Sequence, residues 1–186
     1  MNVWAPTAKP PPEGWPVIIW IHGGWLQLGD PMFDHRMHPH ELISHSGYGL
    51  DCVVLAPGYR LNIFGFLAAD VDDSLTGNWG FWDQRCAIEW IAEHVAYFGG
   101  NPNNVTLGGV SAGYNDEMSA DEGAYSTQVQ LFYELFQAAD AGAKPVFHRV
   151  WMSSNAMPVF IYLGQSDVDF SQDTHRSNRT IRRSLR

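Results

Sequence analysis

Long apolar runs are missing from this 186-residue sequence. No uninterrupted stretch approaches the roughly 20 residues a membrane-spanning helix requires, so a membrane protein is not expected. Met1-Asn2-Val3-Trp4 carries neither a basic n-region nor an apolar h-region, and no secretory signal is read at this end. Cysteine is scarce. Cys52 and Cys86 are the two present, too few for a disulfide framework, and both are read as buried free thiols. Basic residues are scarce as well, with 11 Lys and Arg against 20 Asp and Glu, for a formal charge of −9. Five of those basic residues, Arg176, Arg179, Arg182, Arg183 and Arg186, follow the last acidic one. The body is therefore strongly acidic, which disfavours nucleic-acid partners.

What is present reads as globular. A hydrophobic content of 45% with 17% charged residues fits one domain with a real core, and eight Trp with ten Phe make it rich in rings. Lys9-Pro10-Pro11-Pro12-Glu13-Gly14 is a stiff turn between two extended pieces. Pro16 to Ile21 and Cys52 to Ala56 are apolar runs of the kind found in strands buried on both faces. A short helix is expected between Met37 and Ser46. Asp83 to Phe98 is the clearest helix, with Cys86, Ala87, Trp90, Ile91, Val95 and Phe98 as its inward stripe and His94 packed at its end. Asn78 or Asp83 is placed at its start, and Gly99-Gly100-Asn101-Pro102 stops it. Strand 105–109 follows, then a second helix with Val129, Phe132, Leu135, Phe136 and Ala139 on its apolar face, then a strand at Val150-Trp151-Met152. Strands alternating with helices predict a mainly parallel sheet covered by helices on both faces.

Two motifs carry chemistry. Gly109-Val110-Ser111-Ala112-Gly113 follows the β-type run Val105-Thr106-Leu107 and would hold Ser111 in a sharp, exposed bend between strand and helix. Ile21-His22-Gly23-Gly24-Trp25 lies upstream, and its backbone N–H groups are of the kind that meet an oxyanion developing beside a nucleophile. Together they form the front half of an acyl-transfer site. The sequons Asn104-Val105-Thr106 and Asn178-Arg179-Thr180 matter only in a secretory compartment. His35, His38, His40 and His45 with Asp34 suit no standard ligand spacing, and the segment is read as a surface loop without a metal.

The order of these and further words resembles the type-B carboxylesterases, the cholinesterase-like branch of the α/β-hydrolase fold. The words are Asn2-Val3-Trp4-Ala5-Pro6, Pro16 to Gly24, Tyr59 to Leu67, Gly77-Asn78 with Asp83-Gln84, Phe98 to Thr106, the serine elbow, and Phe147 to Ser154. The resemblance implies an α/β fold: an incomplete α/β-hydrolase domain over 1–157, its mainly parallel sheet flanked by helices. It implies Ser111 as nucleophile, with the N–H groups of Gly23, Gly24, Trp25 and Ala112 as the oxyanion hole. It also implies a small-molecule ester as substrate and no cofactor. Asp83 resembles a structural position. Trp25 stands where a third glycine is usual, so its indole must find room. Val110 stands where the family often has a glutamate, which implies a drier pocket floor.

Three departures follow. Tyr114 to Gly123 interrupts an otherwise smooth path from Ser111-Ala112-Gly113 into Ala124-Tyr125-Ser126; a retained intron and a tolerated surface insertion both account for it. From Met157-Pro158 the resemblance stops, and 158–186 reads as an unrelated disordered tail. Finally, only His148 and His175 follow Ser111, and neither matches the family's base. A fragment of an esterase, lacking the triad acid and histidine, is the expectation. The alternative is a catalytically inactive cholinesterase-like binding protein.

Overall fold

A computed structural model describes residues 1–32, 39–40, 43, 50–67, 77–110, 122–141 and 144–153. Of Val110, 122–125, 136 and 138–141 it describes the backbone alone. Strands β1 (Asn2–Trp4), β2 (Trp15–Ile21), β3 (Val53–Ala56), β4 (Gly100–Val110) and β5 (Arg149–Ser153) form one sheet in the order β1-β3-β2-β4-β5. Only β1 runs antiparallel to its neighbour; β3, β2, β4 and β5 are parallel. Helices α1 (Asn62–Phe66), α2 (Trp79–His94) and α3 (Glu122–Ala141) join or flank them, and a 3₁₀ turn, Val95–Phe98, prolongs α2. This is the expected α/β architecture, a partial α/β-hydrolase fold.

The core follows from the two-residue repeat of the strands. Val17, Ile19, Ile21, Val53, Leu55, Val105 and Leu107 share one buried cluster with Ile88, Ile91 and Val95. Alternate strand residues thus face α2. The other sheet face is drier at β3 than at β2: Val53–Ala56 is buried throughout, whereas Pro16, Ile18 and Trp20 are exposed or half-buried. The expectation that β2 is buried on both faces is therefore corrected. Trp20, Gly108 and Trp151 lie in register across that face. Gly108 has no side chain, so the two indoles meet over it at 5.5 Å. A Cβ there would stand 3.3 Å from the Trp20 ring.

Both inward helix stripes also need correction. On α2 the buried residues are Phe81, Gln84, Arg85, Ile88 and Ile91, while Cys86 is exposed and Trp90 and Phe98 are more than a third exposed. The helix begins at Trp79, ahead of the expected Asp83, and Asn78 supplies its backbone carbonyl to the N–H groups of Phe81 and Trp82. On α3 the buried set is Ser126, Thr127, Gln128, Gln130 and Glu134, and Leu135 is exposed. The reason is polar complementarity between the two helices. Gln84 Nε2 donates to Ser126 Oγ at 3.1 Å, and Gln130 Nε2 donates to the Phe81 carbonyl at 2.9 Å. The Arg85 guanidinium donates to Glu134 at 2.6 Å and covers the Tyr133 ring.

Residues drawn as an insertion, Glu122 and Gly123, are the first of α3. The rest of it, 114–121, and the tail 158–186 lie outside the described residues. Of the expected helix between Met37 and Ser46 only 39–40 and 43 are described; there the Ile43 N–H donates to the Pro39 carbonyl, one helical turn.

Candidate active site

Strand order fixes where a ligand can sit. From β2 the chain crosses to β3 on one side, then passes back over β2 to β4 on the other. The connections leaving the carboxyl ends of β2 and β4 therefore diverge, and the crevice between them is the switch point where open α/β sheets bind ligands. Ile21, the last residue of β2, pairs with Gly109, and Gly109 pairs with Met152. Val110 is the last residue described before Ser111. Ser111 and Ala112 lie outside the described residues.

The loop leaving β2 is folded on its glycines. The Gly24 carbonyl accepts from the N–H groups of Gln27 at 3.0 Å and Leu28 at 2.9 Å, closing a tight turn. Gly24 has φ +128, and a Cβ there would overlap the Leu28 carbonyl. Gly29, at φ +114, lies so close that a Cβ would reach the Gly23 oxygen at 2.6 Å. Only glycine fits either place. Trp25 and Leu26 also take left-handed φ, +62 and +53. A left-handed backbone at position 25 would favour glycine, and Trp25 adopts it while 45% exposed. Among the described residues, no acceptor takes the N–H of Gly23, Gly24 or Trp25.

His22, buried beneath this turn, is held neutral. Burial pushes its pKa below the ordinary 6.5, outweighing the Gly23 carbonyl and Asp30, which raise it. Nδ1 lies 2.9 Å from the Gly23 carbonyl, an acceptor, so the ring proton sits on Nδ1. Sequence reasoning missed what anchors this residue. Tyr59 stacks on the imidazole at 4.5 Å, and its hydroxyl donates to the His22 carbonyl at 2.9 Å. The Asn62 N–H donates to the Leu26 carbonyl at 2.5 Å. Between those anchors Arg60 forks onto Asp83 of α2, Nε to Oδ2 and Nη2 to Oδ1, both 2.7 Å. Its backbone N–H donates to the same carboxylate at 3.0 Å. Burial alone would raise the Asp83 pKa, but the Arg60 hydrogen bonds and charge hold it below its ordinary value. Asp83 is structural in this sense. The only prior signal was that Tyr59, Arg60 and Asp83 all fall in the resemblance words.

Two of the histidines not expected to act as the base, His148 and His94, are described. His148 stands beside the middle of β4: its Nδ1 accepts from the Val105 N–H at 3.2 Å, and its own N–H donates to the Val105 carbonyl. Val110 lies five residues further along the strand from Val105, roughly 16 Å. His94 stacks on Trp90 at 4.6 Å and bonds its carbonyl through Nδ1 at 2.8 Å. His175 lies outside the described residues, as do His35, His38 and His45. Among the described residues no three His, Cys, Asp or Glu side chains gather as a metal site, and no helix is long and apolar enough to cross a membrane. A cleft of about 380 Å³ between α2 and α3 is lined by Arg85, Glu89, Tyr133, Glu134 and Lys144, and none of the candidate residues lines it.

Known proteins resemble this chain over most of its length. The model of the Carboxylesterase family matches residues 1–121, a span that holds Gly23, Gly24, Trp25, Ser111 and Ala112. The chain is 39% identical to an uncharacterized esterase/lipase of Schizosaccharomyces pombe over 162 residues, 86% of this chain and 28% of that protein. It is 40% identical over 167 residues to a carboxylic ester hydrolase of Gibberella moniliformis, again 86% of this chain and 28% of the relative. With the liver carboxylesterase of Sus scrofa the identity is 41% over 114 residues, 61% of this chain and 19% of that enzyme. The chain thus spans about a quarter of the length of the first two relatives.

Proposed function

The chain belongs to the carboxylesterase family, and from that premise we propose that it carries the nucleophile and oxyanion half of a carboxylic ester hydrolase acting on a small-molecule ester. Ser111 Oγ attacks the ester carbonyl carbon while its proton passes to a base. The carbonyl oxygen becomes an oxyanion, received by the N–H groups of Gly23, Gly24, Trp25 and Ala112. Collapse expels the alcohol, which takes up the proton, and leaves an acyl-Ser111 that water hydrolyses. One observation carries this reading. The Gly24 turn leaves three amides without an acceptor among the described residues, beside the strand end that leads to Ser111.

No triad acid or histidine is assigned among the described residues. His148 is committed to Val105 in the middle of β4, and the chain spans about a quarter of its first relatives. Preorganised amides alone sustain a fraction of the full rate, about 10³–10⁴-fold over water in a hydrolase stripped of its triad. The test is incubation with a fluorophosphonate, followed by intact mass. Slow modification that disappears in Ser111→Ala is expected. Rapid stoichiometric labelling would reveal a base within this chain, and no labelling over days would sink the serine mechanism.

A further inference from the structure

We propose that Tyr59 is a positioning residue for the oxyanion loop, itself held in place by the Arg60–Asp83 fork; this rests on the ester-hydrolase reading above. The argument begins with direction. An oxyanion hole works only if its N–H groups are aimed before charge develops, since turning them afterwards costs what they were meant to supply. Here the direction of the amides after His22 is set by the peptide that joins His22 to Gly23, and that peptide's oxygen is the one Tyr59 holds. The hydroxyl donates to the His22 carbonyl at 2.9 Å from a buried position. The Tyr59 ring stacks on the imidazole with planes 19° apart, which blocks rotation of the same residue from its side-chain end.

Two further contacts prevent Tyr59 from following the loop if it moves. Arg60, its neighbour, is pinned to α2 by three hydrogen bonds to the Asp83 carboxylate. Asn62, three residues on, returns its N–H to the Leu26 carbonyl on the far side of the turn. The loop is therefore gripped at both ends, at 22 and at 26, by one short segment anchored to a helix. The three amides that have no acceptor among the described residues lie between the grips. Glycines at 23 and 24 supply no side-chain packing of their own, so the grip must come from elsewhere.

Tyr59→Phe removes the hydroxyl and keeps the stacked ring, so folding is preserved. Amide hydrogen exchange on the whole chain supplies a readout independent of chemistry. The Gln27 and Leu28 N–H groups, both bonded to Gly24, report loop closure. They should exchange at least about 10-fold faster in Tyr59→Phe, while Ile19 and Ile21 of β2 stay unchanged. The fluorophosphonate labelling rate should fall by about the same factor, with its half-saturating probe concentration unaltered. Unchanged exchange at Gln27 and Leu28 overturns the proposal whether or not Ser111 labels. Faster exchange with an unaltered labelling rate also overturns it, because the loop would then be loosened without consequence. If the wild-type chain does not label, the hydrolase reading fails and exchange alone decides the grip. Asp83→Asn should loosen the same two amides, and unaltered exchange there would remove the fork from this chain of contacts.

Discussion

At the scale of single residues, Gly24 carries the heaviest demand. Its φ of +128 is open to glycine alone, and a methyl group at that position would lie on top of the Leu28 carbonyl. Gly24→Ala is expected to lower stability by about 2–3 kcal/mol, the cost of a strained backbone together with a displaced turn. It should also slow Ser111 labelling by about 100-fold, the loss seen when one oxyanion donor is removed. A thermal melt and the labelling time course check both halves. Trp25→Gly is the matching control: it keeps the amide and relieves φ +62, so labelling should persist. The glycines were legible in the sequence because their requirement is local. Tyr59 was not, because its role depends on a hydrogen bond to a residue 37 positions away, which no local pattern encodes.

At the scale of elements, the strands were read well and the helix faces poorly, for one physical reason. A strand's apolar run marks its own span, so β2, β3, β4 and β5 all fall on or around the expected spans, although the run overstated the burial of β2. A helix face reports burial only if its partner is apolar. Gln84 and Arg85 point inward because α3 answers them with Ser126, Gln130 and Glu134, and a hydrophobic stripe drawn through Cys86 and Trp90 is rotated away from that face. The same pairing makes the junction sensitive. Arg85 and Glu134 are over 90% buried, and Glu134 also accepts the Val146 N–H that leads into β5. Removing one partner strands the other charge in a dry place. Glu134→Ala should therefore cost about 3–5 kcal/mol in a urea melt, with the Glu89 contact to Arg85 tempering the loss. Arg85→Met with Glu134→Leu should cost far less than that single change, because no charge remains to desolvate. A double variant as damaged as the single one would show that the helices need hydrogen bonds, not volume.

At the scale of the whole molecule, the nucleophile and oxyanion motifs were legible from their order along the chain, whereas an acid–base pair was not: His148 and His175 are the histidines after Ser111, and His175, with Asp169 or Asp173 ahead of it, has the family's order but falls in the tail. Titration supplies a global check on how the described core and loop are held. His22 is depressed below 6.5, so as pH falls the unfolded chain takes that proton first, and the stability its burial reflects is full above 6.5 and lost below it. Asp83 is depressed below 3.8; its contribution is full above that value and lost as pH falls through the folded pKa. Cys52 runs the other way. Burial first, then Asp51, push its thiol from 9.0 up to about 11, so the unfolded chain ionises first and stability falls as pH rises from 9 towards 11. The melting temperature should therefore be level from about pH 7 to 9 and decline on both sides, in two acid steps and one alkaline step. Cys52→Ala should erase the alkaline step and leave the acid ones in place. An alkaline decline that survives the substitution would show that a group other than this thiol, buried in the strand approach beside β3, sets the upper limit.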